Sequence, residues 1–371
     1  MAPLEGIRVL DFSTLLPGPL ASLILAEAGA EVIKVERPGT GDGMRGHPPL
    51  LDGTGGGFAL MNRGKRSVAL DLQAPGAAAK LLALAPTIDI VLEQFRPGVM
   101  ARLGLGYEAF RERNARIVYC SITGYGQDGP LASVPGHDIN YQAQTGMLSV
   151  TAGKDGAPGI PAALVADIGG GTYPAVVNIL LALRERDRSG AGCYIDVAMA
   201  ENLFTFLFWG LALGQRGGAW PTPGGERLTG GFARYRIYRT SDGRYLAVGA
   251  LEDKFWEMFC EIAQVPAEHR DDARDPAATI AAVERIVAAR SSAEWSAAFE
   301  GKDACVCLVR SLEEAVRDLH FKARGVFERR TTIPGHVLPA LPVPVVAALR
   351  RQSQTAAAPA LGEHTQSLLE K

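Results

Sequence analysis

Two side chains able to pass a proton near neutral pH, His137 and Asp167, share one glycine-rich stretch, Gly136–Gly171. Imidazoles and carboxylates are the common positioned acids and bases of enzymes. Each of the two stands at a helix-start signal. His137 and Asp138 follow Pro135-Gly136 and lead into the apolar-spaced run Ile139–Val150, and Asp167 leads through three glycines into Tyr173–Leu183. A helix start carries unpaired N–H groups and partial positive charge, which suits an anion or a developing oxyanion. For any single Asp, plain helix capping is the commoner explanation of such a position. The run Gly169-Gly170-Gly171 weighs toward a site, because glycines inside a helical pattern cost stability and mark close backbone approach. A second set of side chains has phosphate chemistry. Arg37 and Arg96 each stand where a strand has just ended, with Arg102 close behind, and guanidinium groups grip phosphates in bidentate fashion.

These residues need a scaffold, and the flanking patterns describe one. Ile7–Phe12 and Glu31–Glu36 read as buried strands around a helix Pro19–Ala28, a βαβ unit of the doubly wound type. Further strands are expected at Ser67–Leu72, Ile88–Glu93, Ile117–Ile122 and Cys193–Val197, with helices at Ala74–Leu84 and around Tyr173–Arg186. The arginines then lie at the carboxyl edge of a parallel sheet, where α/β proteins bind ligands. The first turn, Ser13–Pro19, is not GxGxxG, and its prolines remove backbone donors that a pyrophosphate needs, which argues against a nicotinamide or flavin there. A glycine- and proline-rich loop spans 214–231. Beyond it, Arg234–Arg239 and Arg244–Ala250 flank Ser241-Asp242-Gly243 as a hairpin. Helices follow from Asp253 and around Ala277–Arg290, and two more open on the capping boxes Ser291-x-x-Glu294 and Ser311-x-x-Glu314. The expected plan is a large α/β domain over 1–215, a small α+β domain over 225–325, and a proline-rich segment over 330–371 that returns to the large domain. In that last segment Ala356–Pro359 reads as a linker to a short terminal helix.

Composition narrows the function classes. The chain has 371 residues, 47% hydrophobic and 21% charged, with a net charge of -2, so it can bury a large core and carries no electrostatic footprint for nucleic acid. The one basic cluster is Asn62–Arg66. No apolar run in the sequence approaches the roughly 20 residues of a membrane span, and Leu203–Leu213 reads as a buried helix. The start, Met1–Glu5, lacks signal-peptide features, so a cytoplasmic protein without a membrane partner is expected. The cysteines (Cys120, Cys193, Cys260, Cys305, Cys307) are dispersed and read as buried free thiols, and no His or Cys spacing suits a metal.

Taken in order, a set of short motifs makes the sequence resemble the class III CoA-transferase superfamily, and within it the α-methylacyl-CoA racemases. They are Val9–Phe12, Gly29–Glu36, Asn62–Ser67, Phe95–Gly98, Gly124-Tyr125-Gly126, Asp318-x-His320-Phe321-x-Ala323-Arg324-Gly325 and Leu361–Thr365, and they run through essentially the whole chain. The resemblance implies a Rossmann-like large domain built from both chain ends, a smaller central domain, and a homodimer whose chains interlock. It also implies an acyl-CoA substrate and no cofactor beyond its CoA moiety: no NAD, flavin or metal. By matching positions, Arg37 resembles the arginine facing the CoA nucleotide. Leu70, Asp71, Leu72 and Gln73 resemble the strand end lining the adenine, with Gln73 where many relatives carry Lys. Gln94, Phe95, Arg96 and Arg102 resemble further CoA contacts. Gly136, Asp138, Ile139, Asn140 and Tyr141 resemble the loop and helix start that hold pantetheine and thioester.

The resemblance gives Asp167 two opposite jobs. In the transferases the matching carboxylate is a nucleophile that forms an aspartyl-CoA thioester; in the racemases it is one of two bases. Inversion at Cα needs an acid–base group on each face of a planar enolate, and Gly136-His137-Asp138 matches the racemase pattern. Glu252, within Val248–Trp256, resembles the racemase carboxylate that orients and charges the histidine, although without the resemblance it reads as a helix-start acid. Three functions therefore stand side by side: racemisation of 2-methylacyl-CoA thioesters, CoA transfer between carboxylic acids through Asp167, and acyl-CoA binding without catalysis.

Overall fold

The computed structural model describes residues 2–153 and 156–369. Along the chain, β1 (Arg8–Asp11), α1 (Pro17–Glu27) and β2 (Glu31–Glu36) form the expected βαβ unit. A small antiparallel pair, β3 (Leu50–Leu51) and β4 (Thr54–Gly55), precedes α2 (Gly56–Asn62) and β5 (Arg66–Ala69). Next come α3 (Ala77–Leu82), β6 (Ile90–Glu93), α4 (Val99–Arg102), α5 (Tyr107–Arg111) and β7 (Val118–Thr123). Then follow α6 (Asp138–Gln144), α7 (Met147–Val150), α8 (Tyr173–Ser189), β8 (Tyr194–Ala198) and α9 (Met199–Asn202).

The chain forms two compact units. One contains the described residues of Met1–Thr145, Ala163–Phe206 and Leu319–Lys371; the other contains those of Gly146–Ala162 and Leu207–Asp318. The first is organised on a six-stranded sheet of order β5-β2-β1-β6-β7-β8 in which every neighbouring pair is parallel. The strands are near-continuous apolar runs because helices cover a doubly wound sheet on both faces. The core on one side joins Leu10, Ile33, Val68, Val91 and Tyr119 of the strands to Leu81, Phe110 and Leu105 of the connections. Strand order reverses between β1 and β6, and the crevice beyond the carboxyl ends at such a reversal is where open α/β sheets bind ligands. The segment Ala356–Pro359, read above as a linker, instead contributes β14 of a second sheet. In it β12 (Arg330–Ile333) pairs antiparallel with β13 (His336–Pro339) and parallel with β14 (Thr355–Ala357).

The expected helix Ile139–Val150 is broken. Gly146 takes a left-handed conformation (φ 80) that closes α6 and starts α7. The helix expected from Tyr173 is longer than its pattern, because a π-helical turn, Ala166–Thr172, joins its front. Together they make Ala166–Ser189, 24 residues with an 18-residue stretch of mean hydropathy 1.2, which corrects the expectation that no segment reaches spanning length. Half of its apolar window is buried in the protein. Ala175, Val176, Ile179, Ala182 and Leu183 form the inward stripe of α8 against β7, β8 and α1, as a core helix does.

The second unit contains α10 (Phe208–Gln215) and the expected hairpin, β9 (Tyr235–Arg239) and β10 (Tyr245–Gly249), with β11 (Val306–Leu308) added antiparallel. Its core stacks Trp256, Phe259, Phe299 and Trp295 from α11 (Asp253–Ala263) and, beyond α12 (Pro276–Ala288), α13 (Ser292–Phe299). Both capping boxes form at the serines expected. Gly146–Ala162 joins this unit because Ala152 sits against Gly224 and Val150 accepts a hydrogen bond from the Gly224 N–H. Of the cysteines, Cys120 and Cys260 are buried as expected, but Cys193, Cys305 and Cys307 are exposed. The last two lie at β11, a short strand at the edge of its sheet, so apolar spacing there did not mean burial.

Candidate active site

His137 is the residue immediately before α6, in extended conformation, and its backbone is clamped. Its N–H donates to Asn140 Oδ1 at 3.0 Å, and its carbonyl accepts from the Asn140 N–H at 2.8 Å. Beside it, the Tyr141 hydroxyl donates to the Gly136 carbonyl at 2.6 Å, and the ring meets Tyr125 edge-on at 5.2 Å. Glycine is required at two neighbouring positions, since a Cβ on Gly124 or Gly136 would lie 2.4 or 2.7 Å from the Tyr141 ring. With its backbone fixed, the imidazole extends into solvent-accessible space.

Asp167 sits on the π-helical turn Ala166–Thr172. Such turns are rare and concentrate at functional sites. The three glycines are there for packing: a Cβ on Gly169 would lie 2.7 Å from Phe206, on Gly170 2.3 Å from the Met199 carbonyl, and on Gly171 3.2 Å from Pro17. The two halves of the site are joined by Asp138. Its buried carboxylate turns inward and accepts the N–H groups of Ala166 (2.7 Å) and Asp167 (3.0 Å), along with the Gln142 amide. Of Asp138, only the backbone is therefore free to meet a ligand. Burial raises the Asp167 carboxyl to about 6, the negative charge of Asp138 adds to that, and His137 partly opposes it. A carboxyl with that value changes hands with its proton near neutral pH, as a catalytic acid–base group must.

Both side chains line one cavity of about 420 Å³ at the strand-order reversal. Its walls are the ends of four parallel strands: Leu15–Pro17 after β1, Gln94–Pro97 after β6, Ile122–Gly124 at β7, and Met199 after β8, closed by Val134–His137, Asn140 and Tyr141. A second cavity of about 410 Å³ shares Arg96 and is floored by Glu93, which burial pushes up to about 7.

Of the residues expected from sequence, the structure gathers His137, Asp167, Gly136, Asn140, Tyr141, Gln94, Phe95 and Arg96 around the first cavity. Gln94 also accepts the Gly18 N–H through its side chain at 3.1 Å. Arg37 and Leu70–Gln73 follow the adjacent strands β2 and β5 along the same edge, outside that cavity. Leu70 and Leu72 point their side chains into the core, and Asp71 caps a turn by accepting the Gln73 N–H. Arg102 ends α4, exposed, and Ile139 is exposed on α6. Glu252 belongs to the second unit, at the N-cap of α11, and its carboxylate makes no capping hydrogen bond there. Sequence reading missed Leu15–Pro17 and Met199. The only available signal was their place just past a strand's carboxyl end, since apolar residues announce no chemistry. Among the described residues, no group of three or more His, Cys, Asp or Glu has metal-holding geometry.

A Rossmann-type sheet with an imidazole and a carboxyl converging at its switch point defines a ligand-binding α/β protein equipped for proton or acyl chemistry. The chain belongs to CoA-transferase family III, whose family model matches residues 4–365. It is 36% identical to human alpha-methylacyl-CoA racemase over 99% of this chain and 93% of that protein. It is 32% identical to mouse succinyl-CoA:glutarate CoA-transferase over 100% of this chain and 86% of that one. Among solved structures, a crystal form of Rv3272 from Mycobacterium tuberculosis matches with a TM-score of 0.85 and 30% identity, covering 100% of this chain and 99% of that one. A CAIB/BAIF family protein from Brucella suis matches with a TM-score of 0.84 and 26% identity, covering 99% and 98%.

Proposed function

We propose that this protein is an isomerase that racemises 2-methylacyl-CoA thioesters at Cα by two-base proton transfer. The observation that carries the reading is the convergence of His137 and Asp167 on one cavity, with the Asp167 carboxyl held near 6. CoA is bound by Arg37, Arg96 and Arg102, with Gln94, Phe95 and the Leu70–Gln73 strand end along its length. The thioester lies over Gly136, Asp138, Ile139, Asn140 and Tyr141. One of His137 and Asp167 takes the α-proton, the thioester oxygen becomes an enolate facing the Asp138 N–H, and the other residue returns a proton to the opposite face. Glu252 orients and charges His137 in this scheme. The chemistry asks for no NAD, flavin or metal.

We place the enzyme as a homodimer in the cytoplasm. Tyr173, Val177, Leu180 and Leu181 leave an exposed apolar strip on α8 that a second copy would cover. A second reading has its own support. Relatives that are CoA-transferases align over the whole chain, and a half-buried carboxylate such as Asp167 can serve as the nucleophile that CoA transfer requires. Enantiopure 2-methylacyl-CoA incubated in D2O separates the readings. Racemisation puts deuterium at Cα with loss of chirality. Passage of CoA to an added carboxylate without α-exchange, with a covalent adduct on Asp167 in intact-protein mass spectrometry, would replace the isomerase reading with the transferase one.

A further inference from the structure

Among the sequence motifs without a role in this scheme are Val9–Phe12, Gly29–Glu36 and Asn62–Ser67. In the structure they meet in one buried ionic cluster. Lys34 and Asp42, both with fully buried side chains, pair at 2.9 Å, and Lys65 reaches Asp11 at 3.5 Å while donating at 2.8 Å to Ser22, Asn62 and the Pro19 carbonyl. The short basic cluster of the sequence, Asn62–Arg66, thus places Asn62, Arg63 and Lys65 inside the protein. The cluster lies under the loop Ser13–Leu16, which leads into α1 at Pro17, and holds it at Ser13 and Leu15. Asp11 accepts the Ser13 N–H at 2.9 Å, Lys34 donates to the Ser13 carbonyl at 2.7 Å, and Asp42 accepts the Leu15 N–H at 3.0 Å. Leu15 is held at φ 64, a left-handed conformation that residues with a Cβ rarely adopt. Glu36 anchors Asp42 in turn by accepting its N–H at 3.0 Å, and is itself gripped by Arg45 and Ser67.

The held loop does two things. Leu15, Leu16 and Pro17 form one wall of the cavity that His137 and Asp167 line. The Pro17 carbonyl also accepts the Thr172 hydroxyl at 2.8 Å, and Pro17 packs against Gly171, so the junction of the loop with α1 braces the far end of the turn that carries Asp167.

We infer that the Lys34–Asp42 cluster is a positioning device for Asp167, acting through the Ser13–Leu16 loop, the start of α1 and the Pro17–Thr172 strut. The inference rests on the proton-transfer reading and predicts a one-sided defect, since His137 sits on α6 and is not touched by the strut. The test compares Thr172→Val, which removes the strut at constant shape, with Thr172→Ser, which keeps it. Asp167→Asn identifies which enantiomer of a 2-methylacyl-CoA loses its hydrogen to Asp167. In Thr172→Val, α-exchange in D2O from that enantiomer should fall by roughly 10- to 100-fold, the scale for a misplaced catalytic group. Exchange from the other enantiomer and the affinity for CoA itself should stay at wild-type values, and Thr172→Ser should restore the rate. Asp42→Asn, which breaks the ion pair but keeps an oxygen for the Leu15 N–H, should show the same asymmetry; if it does not fold, the Thr172 pair decides alone. Equal slowing of both enantiomers, or no change, overturns the inference. If the wild type instead transfers CoA without α-exchange, the isomerase reading falls. The inference is then scored on the transfer rate, which also runs through Asp167: a drop in Thr172→Val restored in Thr172→Ser upholds it, and an unchanged rate overturns it.

Discussion

At the scale of single residues, the site rests on two groups with different supports. His137 owes its place to a clamped backbone and projects freely, so its removal should cost chemistry and little else. His137→Ala is expected to lower the racemisation rate by two to four orders of magnitude, roughly the worth of a positioned acid–base group, while CoA affinity measured by calorimetry stays near wild type. Asp167 is set by burial and by its neighbour's charge, and its value near 6 has two consequences of definite sign. For the enantiomer that Asp167 deprotonates, kcat/KM should rise with pH and level off above about 6, because the base must be ionised. For stability the sign is opposite. The folded chain holds this proton more tightly than the unfolded chain, so the contribution of Asp167 declines as pH rises from 3.8 to about 6. A rate profile flat from pH 5 to 7 for both enantiomers would remove Asp167 as a base.

Between elements, Asp138 is the joint. It belongs to α6 yet accepts the first N–H groups of the π-helical turn, so one carboxylate both locates Asp167 and raises its pKa. Asp138→Asn separates these effects, because an amide oxygen can keep both N–H groups while the charge is gone. The ascending limb of the pH–rate profile should then move to lower pH with the fold intact by circular dichroism. An unmoved limb would mean that burial alone sets Asp167. The glycines of the same turn set a steric limit: a methyl on Gly170 would meet the Met199 carbonyl at 2.3 Å, so any side chain there must displace either the turn or α9.

For the whole molecule, the proposed assignment of Glu252 is the most demanding, because this residue lies in the second unit and His137 in the first. If Glu252 charges the imidazole, Glu252→Gln should lower kcat more than it raises KM and shift the pH profile of the enantiomer that His137 deprotonates. Wild-type behaviour across pH would return Glu252 to the plain role its position shows, an acid at the start of α11.

Much of this molecule was legible in its residues alone. The strands of the large sheet follow runs such as Val9–Phe12 and Glu31–Glu36, because a doubly covered sheet needs strands that are apolar on both faces. The Ser291 and Ser311 caps could be read because capping is decided within a single turn. His137 and Asp167 stood out by side-chain type and by the glycines beside them. What the sequence left open depends on partners far along the chain. Asp138 read as a helix-start acid and proved to hold a turn across the site, and Ala356 read as linker and pairs with Thr331. Lys65 read only as part of a short basic cluster and is buried beside Asp11. Charge patterns report composition, whereas the fate of a charge depends on which distant carboxylates the fold brings within reach. Only the tertiary structure decides that, because burying a lysine becomes tolerable only once its partners are already in place.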